Sequence, residues 1–160
     1  MAIQAISTAG MKVYYASGTS TVPTSGYTEL VGVKALPALG DSVNTLQTTP
    51  LSATKNHTYT LGLADSGGAI QLTVNDAPAF RSAYATMYSA YEAAVSASST
   101  FWLQYAYPSQ YSMSSFYIPV DLVPLGFGGA DVDSVLENNA NIAPTGDYLF
   151  AAASTSTISG

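Results

Sequence analysis

The sequence predicts an α+β domain that is mainly β: a β-sandwich or partly closed barrel of about seven strands, with one flanking α-helix and a long loop. Three observations lead there. Short stretches rich in Val, Ile, Thr, Tyr and Phe recur along the chain, and AIQLTVND (69–76) alternates Ile70, Leu72 and Val74 against Gln71 and Thr73. One stretch alone, residues 77–97, carries apolar residues at spacings of three and four. Clusters of Gly, Pro, Ser and Thr separate these segments.

The elements follow in order. Residues 1–10 are small and weakly patterned and are read as an N-terminal arm. MKVYYASG (11–18) is a first strand, ended by a loop that reaches Gly26. YTELVGVKAL (27–36) is a second. Residues 37–56 hold two prolines and little periodicity, so they are read as a long loop, of the kind that is usually functional or mobile. HTYTLGL (57–63) is a strand, and AIQLTVND is the next. Between them Ala64-Asp65-Ser66-Gly67-Gly68 makes a hairpin or a bulged corner. Glycine reaches positive φ without a Cβ penalty, and Asp or Ser bonds back to turn amides. Asp65, Gly67 and Gly68 are thus read as a structural turn, not as chemistry.

APAFRSAYATMYSAYEAAVSA (77–97) is the helix, with Asp76 expected as its N-cap and Pro78 in the first turn. Phe80, Tyr84, Met87, Tyr88, Tyr91 and Val95 form its apolar face, which suits a helix laid across a sheet. TFWLQYAYP (100–108) is a strand with the only tryptophan. SSFYIPVDLV (114–123) is another, which Pro119 restricts to a sheet edge or a strand end. PLGFGGADVDSVLENNANIAPTG (124–146) is a glycine-punctuated corner with a possible short segment. DYLFAAAS (147–154) closes one domain spanning 11–152, and 153–160 is a flexible tail.

Composition narrows function. Charged residues are 9% of the chain, against roughly 25% in an average soluble domain, and Ser and Thr fill much of the gap. The net charge is −6, with only Lys12, Lys34, Lys55 and Arg81 cationic. Tight nucleic-acid binding needs cations that displace counterions from phosphates, and this chain has no basic stripe. Soluble β-rich monomers blunt their sheet edges with charge. With so little charge available, self-assembly is favoured over a monomer decorated with hydroxyls. No long apolar run reads as a membrane span, and the first residues do not read as a signal peptide. The absence of cysteine removes disulfides and Cys-based metal sites.

Catalytic patterns are missing. His57 is the only histidine and reads as a surface residue at a strand entry. No G-x-S-x-G surrounds a serine. Asp131, Asp133 and Glu137 in DVDSVLE resemble part of a calcium loop, but Val135 occupies position five and no glycine follows at six. GFGG (126–129) lacks the spacing of a dinucleotide loop. Asn56-His57-Thr58 is a glycosylation sequon, relevant only in a secreted eukaryotic protein. The reading is of a non-enzyme that carries no cofactor and no metal.

Residues 33–76 resemble the signature region of the major tail proteins of long-tailed bacteriophages, the tail tube subunits. The residues that carry the resemblance are Leu36-Pro37-Ala38-Leu39-Gly40, Thr48-Thr49, Tyr59, Gly62, Asp65, Gly67 and Leu72-Thr73-Val74. The helix, the aromatic strands and APTGDYLF (143–150) also fit, so the resemblance covers roughly residues 11–152. NHTYT departs from it, having no Arg or Trp. The resemblance implies homo-hexameric rings stacked into a tube that conducts the genome without binding it specifically. It implies partners among the other tail proteins (tape measure, terminator, baseplate or tip), a place in the virion tail, and assembly in the host bacterial cytoplasm. It makes Gly40, Asp41, Thr48, Thr49 and Pro50 candidates for a loop reaching the next ring. An acidic bore would repel phosphates, and the strand residues Glu29 and Asp121 are candidates to line it. The alternative is a carbohydrate-binding or adhesin-like β-sandwich that uses its twelve tyrosines and Trp102 as stacking platforms.

Overall fold

The computed structural model describes residues 5, 7–18, 21–39, 42–52, 54–65 and 68–151. Among them are ten strands and one α-helix: β1 (Lys12–Gly18), β2 (Thr28–Leu30), β3 (Val33–Ala35), β4 (Ser42–Gln47), β5 (Tyr59–Asp65), β6 (Ile70–Asn75), α1 (Pro78–Ser96), β7 (Thr100–Ala106), β8 (Ser115–Leu122), β9 (Glu137–Pro144) and β10 (Leu149–Ala151). The architecture is mainly β with a flanking helix, as the sequence predicts. A single antiparallel sheet runs β2-β1-β7-β8-β9-β6-β3, with β10 on β8, and β4 and β5 form a separate pair. Its two ends, β2 and β3, are consecutive in the chain and separated only by Val31 and Gly32. The sheet therefore curls back on itself without closing into a barrel.

Alternation along the strands builds two apolar layers. Val13 and Tyr15 of β1, Phe101, Leu103 and Tyr105 of β7, and Phe116, Ile118, Val120 and Leu122 of β8 point into the main core. Phe80, Tyr84, Met87 and Ala94 of α1 cover that core. On the opposite face Tyr14, Ala16, Tyr27, Trp102, Ala106 and Tyr117 form a second cluster. Strands buried on both faces read as continuous apolar runs, which is why FWLQYA and FYIPV lack clean alternation.

Several expectations change. The strand expected over 27–36 is two strands, because Gly32 turns the chain with φ +89. β2 pairs with β1, and β3 pairs with β6. The loop expected over 37–56 contains β4. β5 runs to Asp65 and pairs with β4, not with β6, so β5 and β6 do not form the expected hairpin. Asp76 does not cap the helix: the cap is Ala77, with no side-chain bond, and Asp76 takes Arg81 instead. Ala94, not Val95, completes the buried helix face.

Pro119 lies within β8, neither at its end nor on an edge strand. β9 and β10 line one side of β8 in succession, and their interruption at residues 145–148 falls opposite Pro119. Thr145 donates its N–H to the Pro119 carbonyl at 2.9 Å, so the missing proline N–H faces the bulged stretch where no ladder bond is lost. The corner expected over 124–146 contains β9. It buries only Asn138, Ala140 and Ile142, and its asparagines conceal the strand.

Gly32 gives a first prediction. Beyond its positive φ, a Cβ there would lie 3.0 Å from Phe80 Cβ. Gly32→Ala should destabilise the fold by about 1–3 kcal/mol, read as a lower urea midpoint with an unchanged slope.

Candidate assembly surface

β4 and β5 form an arm that leaves the body between β3 and β6. Ser42 stands opposite Asp65, so the chain enters and leaves the arm at paired positions. Thr45 pairs with Leu61 and Gln47 with Tyr59, which places these four on one face. A register shift between Val43 and Thr45 leaves Asn44 facing both Gly62 and Leu63, a β-bulge. The far end is held by hydroxyls: Thr48 N–H donates to the Thr58 carbonyl at 2.8 Å, and Thr58 N–H donates to Thr49 Oγ1 at 2.8 Å. Gln47 Nε2 and His57 Nδ1 are 2.8 Å apart beside them.

The arm is apolar and uncovered. Leu46, Tyr59, Leu61 and Leu63 are exposed, Leu61 at 72% and Leu63 at 91%. Among the described residues neither outer edge of the arm carries a further strand. A lone two-stranded hairpin is marginal in water, and open apolar edges template pairing with another chain. Burial of each large apolar side chain would contribute about 1.5–3 kcal/mol. The surface is suited to being covered by protein.

The residues singled out from sequence fall as follows. Thr48, Thr49 and Pro50 lie at the arm's far end. Gly40, Asp41 and Gly67 fall outside the described residues. Asp65 ends β5 opposite Ser42, and Gly68 follows with φ +74. Glu29 lies on β2 with its carboxylate 3.9 Å from Lys12. Asp121 is on β8 beside Tyr91 of α1, whose phenol is pushed up by burial and further by the Asp121 charge. His57 stands at the arm's end among Gln47 and threonines. Asp131 and Asp133 sit on an exposed loop, and among the described residues no three His, Cys, Asp or Glu side chains gather as a metal site. GFGG serves packing: a Cβ on Gly128 would lie 2.6 Å from the Glu137 carbonyl, and Asn138 Nδ2 donates to the Gly126 carbonyl at 2.6 Å. The aromatic platform of the alternative reading is absent from the sheet, because Tyr14, Tyr15, Trp102, Tyr105 and Tyr117 are all buried.

Sequence reasoning missed two further features. A cleft of about 590 Å³ opens at the seam between β2 and β3, lined among others by Lys12, Lys34, Leu36 and Tyr105. Only the three-dimensional curl of the sheet creates it. The second feature is the Asp76–Arg81 pair, with Arg81 Nε and Nη2 donating to Asp76 Oδ1 and Oδ2 at 2.5 and 2.7 Å. The Asp76 side chain is fully enclosed. The hydrogen bonds from Arg81, and its charge, hold the Asp76 carboxyl below its ordinary 3.8. A depressed carboxylate stabilises the fold above the ordinary value, and that contribution is lost as pH falls below 3.8 through the depressed value. Thermal melts of Asp76→Asn should accordingly show a lower midpoint at neutral pH and a shallower decline on acidification than the parent chain.

No protein-family model matches the chain, and no curated protein matches it. Solved structures do. A chain of the anti-feeding prophage (AFP) baseplate, solved by cryo-EM with sixfold symmetrisation, superposes with a TM-score of 0.60 at 11% identity, covering 94% of this chain and 98% of that one. A chain from the tail of an empty GTA particle, refined helically in C6 symmetry, superposes with a TM-score of 0.54 at 14% identity, covering 89% and 96%. At these identities the likeness is one of fold, and it extends over nearly the full length of all three chains.

Proposed function

We propose that this chain is a structural subunit of a phage-type tail, forming sixfold rings that stack into a hollow tube through which DNA is ejected. The observation that carries the reading is the β4–β5 arm, a hairpin with exposed Leu46, Tyr59, Leu61 and Leu63 whose edges carry no further strand among the described residues. Covered by neighbouring subunits, its strands gain both packing and ladder partners. The full-length likeness to chains of a baseplate and a tail, both described with sixfold symmetry, supports this geometry. The charge supports it as well. Each ring would multiply a net charge of −6, and a bore of that sign repels phosphates. Of the two candidate bore carboxylates, Asp121 has no cation within ion-pair distance among the described residues, whereas Lys12 offsets Glu29. The partners in this reading are further copies of the chain and the other tail proteins. Its site is the virion tail, after assembly in the bacterial cytoplasm.

Sedimentation velocity over a concentration series tests ring formation. The expected result is a boundary at six times the 16.5 kDa subunit and heavier species above it. One boundary at subunit mass across the series would refute the proposal.

A further inference from the structure

The chain's few cations are distributed unevenly. Lys12 pairs with Glu29, Lys34 with Glu137 and Arg81 with Asp76. Lys55 is the fourth, and among the described residues no acid lies within ion-pair distance of it. It lies in the segment that links β4 to β5 at the arm's far end, four positions after the fully exposed Leu51.

Topology places a complementary surface at the other pole of the body. β6 runs from the arm's root at Ile70 to Asn75, and its antiparallel partner β9 sets Glu137 opposite Asn75 and Ile142 opposite Ile70. The loop that ends at Glu137 starts after Leu122, beside Ile142, and reaches the pole away from the arm, where Gly126 and Gly128 meet Asn138 and Glu137. Asn138 and the close packing of Gly128 hold this loop against β9. The loop carries Asp131 and Asp133, neither with a cation partner among the described residues, and between and beyond them Val132 and Val135, exposed at 92% and 70%. Each pole thus combines an exposed aliphatic side chain with unpaired charge, and the signs are opposite.

Resting on the tube reading, we infer that the arm's end docks head-to-tail on a second copy, with Lys55 between Asp131 and Asp133 and Leu51 against Val132 and Val135. A contact between two different patches repeats without limit along an axis, which is the requirement for stacking. Charge also sets polarity: two arm ends meeting would oppose like charges, as would two acidic loops, so only one orientation propagates.

A charge exchange tests this. The acidic loop is altered by Asp131→Lys with Asp133→Asn. Asn is chosen because position 133 has φ +62, a conformation that Asn tolerates. The arm is altered by Lys55→Glu. Polymer is measured by pelleting and microscopy on the full chain. Lys55→Glu alone and the loop pair alone should each yield about tenfold less stacked polymer at low salt, and the three changes together should restore it. Parent polymer should fall as salt rises from about 0.05 to about 0.5 M. Parent-like stacking by Lys55→Glu, or failure of the combined variant to recover, overturns the contact while leaving the tube reading intact. A parent chain that forms no stacks under any of these conditions removes both.

Discussion

Replacing residues 42–65 with a short glycine turn should yield a folded subunit that no longer forms the proposed tubes. Neither arm strand belongs to the main sheet, and neither contributes to the buried core. The first and last residues of the excised stretch are paired, Ser42 opposite Asp65, so a short turn can bridge their places. The thermal midpoint should stay within about 4 °C of the parent, the shift that ~1 kcal/mol produces in a domain of this size. Stacked polymer, by contrast, should disappear. The exposed Leu46, Tyr59, Leu61 and Leu63 go with the arm, and each is worth about 1.5–3 kcal/mol when covered. If the excised chain still builds long tubes, the stacking contact lies elsewhere on the body. If it unfolds, the arm supports the fold in a way its isolation from the sheet does not suggest.

The largest effect on stability is expected at Phe80. Its side chain is 1% exposed, it lies at the start of α1, and its ring meets Tyr84 at 5.7 Å and the turn at Gly32. It thereby ties the helix to the turn between the two sheet edges. Phe80→Ala removes a ring from a closed site with little room to collapse, at a cost of about 3–5 kcal/mol. That is a large share of a total stability of roughly 5–15 kcal/mol. Denaturant melts should show the loss, and assembly should fail with it. Phe80→Leu keeps most of the volume and should cost less than about 1.5 kcal/mol. A Phe80→Ala melt that coincides with the parent would mean that α1 is not anchored at this end.

Patterning made much of this legible, and the exceptions have physical causes. The helix was readable because Phe80, Tyr84 and Met87 keep the helical period. β6 was readable because it is buried on one face only. β4 was not, because SVNTLQ is exposed on both faces, and no core selects its alternation. β9 was obscured because small residues suffice where it packs: Ala140 and Ile142 are fully buried, while Asn138 serves the Gly126 carbonyl. Gly32 within an otherwise strand-like run was the available sign of a break between β2 and β3. Asp76 looked like a cap because caps are local, whereas its true partner depends on how Arg81 folds back along the helix start. The β4–β5 arm was half legible. Thr48, Thr49 and Pro50 lie at its far end, yet the pattern of the strands leading to them does not distinguish them from an irregular loop and an ordinary sheet strand. An apolar strand in sequence does not reveal whether the chain's own body or another copy covers it.

Negative-stain electron microscopy of the purified full chain at low salt addresses self-assembly directly. The expected images are hollow tubes in side view and sixfold rings end-on. Fields containing only particles of a single 16.5 kDa subunit, at concentrations well above those at which the chain is purified, would contradict it.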